Sequence, residues 1–281
     1  MDEKRLGTVV QQARRAHGLT QQELCQKTGL SYSTLAKIER GAIKAPSVFT
    51  IQSIARTLGV SLDSLMESAF PVNKLRKMVS KNGVRFVYFD MNGCLVRFYT
   101  RAFAKLAEDA DVTPDVVETI FWQYNDDVCR GTKSIDELNT ALAERLGMMV
   151  DWNKYYLTAV EATPQMDEVV EWVADRYQVG ILTNTMPNLV QPLLDSGKLP
   201  KVTYDTIIDS SEVGCIKPEQ RIFEIATATA GMSPEEILLV DDDRPNLVAA
   251  GKMGWHTLSF DSYRPDESIA SLKATLAPAN S

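Results

Sequence analysis

Four places along the chain set out residue types suited to handling a phosphoryl group. The first is Arg85-Phe86-Val87-Tyr88-Phe89-Asp90-Met91-Asn92-Gly93-Cys94-Leu95, an apolar, aromatic-rich run that ends on an acid and passes at once into turn residues. Ile181-Leu182-Thr183-Asn184 ends on a hydroxyl and an amide, and Lys217-Pro218 supplies a cation. The last is Val240-Asp241-Asp242-Asp243, followed by Asn246, Ala250 and Gly254. A carboxylate such as Asp90 can attack phosphorus and form an acyl phosphate. Mg²⁺ held by carboxylates, carbonyl oxygens and water neutralises the group under attack. Thr183, neighbouring backbone N–H groups and Lys217 can hold its oxygens. Pro218 suits the first turn of a helix and would fix the lysine before it.

The elements that must position these residues follow from the apolar pattern. The Asp90 run and the runs at 179–183, 206–209, 237–241 and 255–260 read as buried strands, with helical patterns between them, as at 166–176 and 218–230. Strand–helix alternation predicts an α/β, doubly wound parallel sheet. Side chains at the carboxyl ends of its strands face the ligand crevice. About ninety residues separate Asp90 from Thr183, far more than one crossover needs. They read as helices at 100–109, 114–129, 134–146 and 152–161, an inserted helical cap over the crevice. The expected domain is 83–262, with core 83–97 and 163–262 and cap 98–162. The tail, 263–281, is expected to be partly disordered beyond a short helix at 268–276. Trp122, Tyr124, Trp152, Tyr155 and Tyr156 in the cap read as core aromatics more than as pocket lining, and His256 as a core residue.

Taken in order, these motifs resemble the haloacid dehalogenase-like (HAD) superfamily over about residues 84–260, most of all its phosphatases with a helical cap. The resemblance implies that Asp90 is the nucleophile and a metal ligand. It implies that Thr183, Asn184 and Lys217 bind phosphate and that Asp242, with Asp241 beside it, binds Mg²⁺. Asp243 reads as a surface acid. Asn92 departs from the pattern. The family's phosphatases carry Asp there, as general acid and base, and use its backbone carbonyl as a metal ligand. Asn keeps the carbonyl and loses the proton shuttle, a contribution of roughly 10²–10⁴-fold. Cys94 stands where Thr is usual, a weaker hydrogen-bonding group. The expectation is a site that binds Mg²⁺ and a phosphorylated small molecule and turns over slowly or not at all.

The first seventy residues carry a different signal. Leu6, Val9, Val10 and Ala13 form a helical stripe closed by Gly18. Thr20-Gln21-Gln22-Glu23 is a capping box opening a second helix. Thr28-Gly29-Leu30 turns the chain, and Ser31 caps a third helix through Arg40, closed by Gly41. Ser47 caps a fourth with Ile51, Ile54, Ala55 and Leu58 on one face, and Ser61 begins a fifth carrying Leu62, Leu65 and Met66. Two short helices joined by a Gly-containing turn form a helix-turn-helix, whose second helix enters the major groove. Leu30, Leu35 and Ile38 should face the core. Ser31, Tyr32, Ser33, Thr34 and Lys37 are left for base edges and phosphates, and Gln21 for a phosphate or base contact. Arg14, Arg15 and Lys44 are further candidates for phosphate contacts. Residues 4–68 closely resemble the XRE family, the Cro/phage-repressor type. That implies sequence-specific binding of a double-stranded DNA operator, usually as a homodimer on a palindrome. It also implies a pairing of Glu39 with Arg14, which would make Arg14 structural.

Charge divides the chain in the same way. Residues 1–82 hold 13 Lys+Arg against 6 Asp+Glu, and the remainder holds 17 against 31. A basic domain on an acidic one suggests that the first part meets a polyanion. Boundaries are expected at 1–68 for the all-α, five-helix DNA-binding domain and 69–82 for a basic linker containing Pro71, Lys74, Leu75, Arg76, Met78 and Val79. No apolar run approaches a membrane span, the start lacks a signal-peptide core, and four scattered cysteines fit a reducing cytoplasm. The sequence-level expectation is a cytoplasmic transcription regulator whose HAD-like domain senses a ligand or dimerises. The alternatives are an Mg²⁺-dependent phosphatase and a switch based on a stable aspartyl-phosphate at Asp90.

Overall fold

A computed structural model of the protein describes residues 5–43, 46–62, 65 and 77–278. The chain divides into two compact units, Met1–Arg76 and Lys77–Ser281. Lys44, Met66, Pro71, Lys74, Leu75 and Arg76 lie outside the described residues.

The first unit contains helices Arg5–Ala16, Gln21–Thr28, Tyr32–Glu39 and Val48–Thr57. Thr20 forms a full capping box with Glu23, and Ser31 and Ser47 cap the next two helices through the backbone N–H groups of Thr34 and Thr50. Each such cap is worth about 1 kcal/mol. Leu6, Val10, Leu24, Leu35, Ile51, Ile54, Leu58 and Leu65 form one core, with Val9, Ala13 and Leu30 half-buried against it. The first and third helices touch closely at Gly7, where a Cβ would lie 2.3 Å from the Ile38 carbonyl oxygen. Of the expected fifth helix, residues 62 and 65 are helical.

In the second unit, strands β1 (Phe86–Phe89), β2 (Gln178–Thr183), β3 (Thr206–Asp209), β4 (Ile237–Asp241) and β5 (His256–Ser259) form a parallel sheet of order β3-β2-β1-β4-β5. Alternation sends Val87, Phe89, Val179, Ile181, Leu238 and Val240 to one core, which continues into the cap. Phe86, Tyr88, Leu182, Ile237 and Leu239 go to a second core on the other face. A sheet covered on both faces buries its central strands completely.

Between β1 and β2 run the helices Thr100–Asp109, Pro114–Cys129, Ile135–Leu146 and Trp152–Ala159, then Met166–Arg176. The insertion leaves and rejoins the sheet domain at one place. Val96 pairs with Ala162 in an antiparallel bridge, the Arg97 N–H donates to the Glu161 carbonyl (2.8 Å), and the Thr163 N–H donates to that of Leu95 (3.0 Å). Phe103, Phe121, Leu138, Leu142, Trp152 and Tyr156 fill its interior. Trp122 is half exposed.

Several local expectations need correction. Residues 77–82 are not a free linker. The Met78 N–H donates to the Arg176 carbonyl (2.6 Å), and Ser80 pairs with Pro278, so residues 77–82 pack on the second unit. The tail helix starts three residues earlier than expected, at Pro265, and runs to Thr275, burying Ile269 and Leu272, with Leu276 buried just after it; residues 279–281 lie outside the described residues. The helix after Lys217 begins at Gln220, which leaves Pro218 outside its first turn, and the Lys217–Pro218 peptide is cis. His256 is half-buried on an edge strand and does not belong to either core.

Candidate functional site

Parallel strands bring their carboxyl ends to one edge of the sheet. Asp90 directly follows β1, Thr183 ends β2 and Asp241 ends β4. The Asp90 N–H donates to the Val240 carbonyl (2.9 Å), which ties the β1 end to β4. Oxygens of Asp90, Asp241 and Asp242 all lie within 4.8 Å of one another. Lys217 reaches into this group, with Nζ 2.8 Å from Asp90 and 2.6 Å from Asp241. Asp90, Thr183, Lys217 and Asp241 are all buried, whereas Asp242 opens to solvent.

The loop after β1 must pass close to Asp242. Gly93 has φ +93, and a Cβ there would lie 2.1 Å from an Asp242 carboxylate oxygen. Only glycine satisfies both conditions.

The carboxylates are not equivalent. Asp241 accepts from Lys217, from the Asp243 N–H (2.8 Å) and from Asn246 Nδ2 (3.1 and 3.3 Å). Those bonds suit Asp241 to fixing Lys217 rather than to holding a metal. Asp90 and Asp242 remain as carboxylates for a cation, and hard oxygen donors of this kind fit Mg²⁺. Burial pushes the Asp90 carboxyl up. Lys217 opposes this, and the charges of Asp241 and Asp242 add to it, so the direction is upward. For Lys217, burial acts downward, but Asp241 and Asp90 outweigh it and hold the ammonium charged. A divalent cation beside Asp90 and Asp242 would favour their ionised forms.

Thr183 Oγ1 is buried without a hydrogen-bond partner. A buried hydroxyl left unpaired carries a cost that a phosphate oxygen would remove. Asn184 does a different job from the one expected of its side chain. Its Nδ2 donates to the Lys217 carbonyl and its Oδ1 accepts from the Lys217 N–H, both at 2.7 Å. The amide therefore clamps the backbone of the lysine and is not aimed at a phosphate in this geometry. The buried Cys94 thiol sits 3.8 Å from the Val240 carbonyl.

Asn92 is buried, and its side chain turns toward the cap. Tyr156 Oη donates to Asn92 Oδ1 (2.5 Å), and Asn92 Nδ2 donates to Tyr99 Oη (3.1 Å). In sequence Tyr156 reads only as a cap aromatic, and nothing marks Tyr99. No spacing rule links either to Asn92.

In the first unit, Tyr32, Ser33 and Lys37 lie on helix Tyr32–Glu39, whose other side buries Leu35 and Ile38. Tyr32, Ser33 and Lys37 are exposed, and Thr34 is half-buried. Ser31 Oγ accepts from the Thr34 N–H (3.1 Å) and shares a 2.8 Å hydrogen bond with Thr34 Oγ1, so both hydroxyls also serve the cap. Arg14 is not available as a phosphate contact. It is buried, with two nitrogens donating to Glu39 (2.7 and 2.9 Å) and a third to the Leu19 carbonyl (2.7 Å). Gln21 Nε2 also donates to Glu39 (2.7 Å), which commits its amide nitrogen to this buried pair. Arg15 remains exposed.

Fold and motif order define the class. The chain belongs to the haloacid dehalogenase-like hydrolase family, which matches residues 84–254, and residues 10–65 match the helix-turn-helix family. Among individual proteins, the chain is 40% identical over 62 residues to an uncharacterized HTH-type transcriptional regulator, y4dJ, from Sinorhizobium fredii, covering 22% of this chain and 79% of that protein. It is 29% identical over 117 residues to (S)-2-haloacid dehalogenase 4A from Burkholderia cepacia, covering 41% of this chain and 50% of the dehalogenase. The chain thus spans half of that enzyme's length. A predicted HAD-like family hydrolase of known structure from Porphyromonas gingivalis superimposes with a TM-score of 0.55 and 25% identity, covering 68% of this chain and 98% of that one. No helix among the described residues is long and apolar enough to cross a membrane.

Proposed function

We propose that this protein is a cytoplasmic, DNA-binding transcription regulator whose HAD-like domain is a ligand-sensing or dimerisation module with a degenerate phosphatase site. The observation that carries this reading is Asn92. It stands at the proton-shuttle position, with both amide atoms bonded to cap tyrosines, beside an otherwise assembled Asp90–Lys217–Thr183 arrangement. Asp90, Asp242 and the Asn92 carbonyl would hold Mg²⁺, which supplies charge neutralisation for a bound phosphoryl group. Lys217 and the unpaired Thr183 hydroxyl would hold the oxygens of a phosphorylated small molecule. Ser31, Tyr32, Ser33, Thr34 and Lys37, with Gln21 beside them, would face an operator. Two copies would read half-sites about one helical turn apart. Coupling requires that the ligand favour one arrangement of the DNA-binding units over another.

The test is selection of bound sequences from random duplex DNA with the full chain, followed by titration of the selected site with and without Mg²⁺ and inorganic phosphate. A reproducible palindromic site supports the reading, and binding without sequence preference contradicts it. The intact Asp90, Lys217 and Thr183 set favours a second reading, an Mg²⁺-dependent phosphatase for a small phosphorylated metabolite. Phosphate release that disappears in Asp90→Asn would establish it.

A further inference from the structure

We infer that Tyr156 and Tyr99 are positioning residues, and that together with Asn92 they form a latch holding the cap against the loop that carries Asp90. Asn92 lies two residues beyond Asp90, in the loop after β1. Tyr99 stands just before helix Thr100–Asp109, and Tyr156 lies in helix Trp152–Ala159, so the latch reaches the first and last helices of the insertion. All three side chains are buried. The tyrosine rings are 5.3 Å apart, and Tyr99 also packs edge-on to Trp152, which leaves neither hydroxyl an easy alternative position.

The amide is matched on both sides. Its oxygen accepts from Tyr156 and its nitrogen donates to Tyr99. Leaving either hydroxyl buried and unpaired would be costly. The chain enters and leaves the insertion at one place, the paired segments at Val96 and Ala162. Away from that hinge it is held by side chains. Besides the latch, Arg130 donates two bonds to Glu219 (2.9 and 2.7 Å), and Asn153 Nδ2 donates to the Pro187 carbonyl (3.0 Å). Of these ties, the latch alone engages the Asp90 loop. The side chain of residue 92 therefore spends its hydrogen bonds on closing the cap and is turned away from a group bound at Asp90.

Amide hydrogen exchange on the full chain tests this. Asn92→Leu keeps the approximate volume and removes both bonds, Tyr156→Phe removes one, and Asn92→Asp still offers an oxygen to each tyrosine hydroxyl. The expected result is that Asn92→Leu and Tyr156→Phe raise exchange in residues 91–97 and 152–160 by about five- to tenfold, with β1, β2 and β4 unchanged. Asn92→Asp should stay close to the parent, and the Asn92→Leu/Tyr156→Phe double variant should exceed Asn92→Leu by little. The inference is overturned if Asn92→Asp opens the cap as much as Asn92→Leu. It is equally overturned if neither Asn92→Leu nor Tyr156→Phe changes cap exchange, or if exchange rises throughout the central strands.

Discussion

The ammonium of Lys217 lies 2.6 Å from the carboxylate of Asp241, and both groups are removed from water. Removing one partner of a buried pair leaves the other as an uncompensated charge, at a cost of about 3–5 kcal/mol. Lys217→Ala should lower the unfolding free energy of the second unit by that amount in denaturant titration followed by tryptophan fluorescence. All four tryptophans lie in this unit, so the signal reports on it alone. A loss below about 1 kcal/mol would mean that the pair is not buried as described.

In the first unit the corresponding feature is Arg14 with Glu39. Burial acts to raise the Glu39 carboxyl, but hydrogen bonds from Arg14 and Gln21 outweigh it and hold the group below its ordinary value of 4.5. A depressed carboxylate contributes stability that is fully present above the unfolded value and is lost as pH falls through the folded one. Amide protection of helices Gln21–Thr28 and Tyr32–Glu39 should therefore decline below about pH 4.5 in the parent, and less steeply in Glu39→Gln. Parallel curves for the two proteins would contradict the assignment.

Lys37 lies on the proposed recognition helix. If it meets a phosphate, Lys37→Ala should weaken binding to all sequences alike and reduce the salt slope, d log K/d log[salt], by about 1. Ser33→Ala, in contrast, should change the preferred sequence if its hydroxyl meets a base edge. Fluorescence anisotropy at several salt concentrations separates the two effects.

Asp242 is the carboxylate left exposed beside Gly93. Asp242→Asn should abolish the heat of Mg²⁺ binding in calorimetry, while Asp243→Asn should leave it close to that of the parent. The same heats in all three proteins would remove Asp242 from the metal site.

Asn92→Asp restores the acid type but, through the latch, keeps it bonded to two tyrosine hydroxyls. Its rate of phosphate release from p-nitrophenyl phosphate should rise over the parent by less than the roughly 10²–10⁴-fold that a free acid–base group supplies. Adding Tyr156→Phe should raise the rate further. If Asn92→Asp alone gives the full gain, residue 92 is not withheld from the leaving group.

Much of this architecture was legible because it rests on local rules. The helix bounds at 100–109 and 114–129 match the structure, with Pro114 marking the second start. The strand ends at Asp90, Thr183 and Asp241 followed from apolar runs stopping on polar residues, and parallel pairing then gathers them. What stayed hidden depends on side chains meeting across elements. Asn184 looks like a phosphate binder at a strand end until its amide is seen clamping Lys217, 33 residues away. Tyr156 is 64 residues from Asn92, and no periodicity connects them. Residues 77–82 looked like linker because their composition is basic, yet backbone hydrogen bonds to Arg176 and Ala277 decide their place.

The antiparallel bridge between Val96 and Ala162 makes the insertion a closed detour. Because the chain returns to its point of departure, β1 and β2 lie side by side although Phe86 and its partner Gln178 are far apart in sequence. The entropy of bringing those strands together is set by how the detour folds, and it grows only slowly with the detour's length. A shorter, longer or differently folded insertion between residues 97 and 161 would leave the strand register untouched. Apart from the bonds that Tyr99 and Tyr156 make to Asn92, what gains admission to the sheet edge can thus be altered without moving the strands that hold its chemistry.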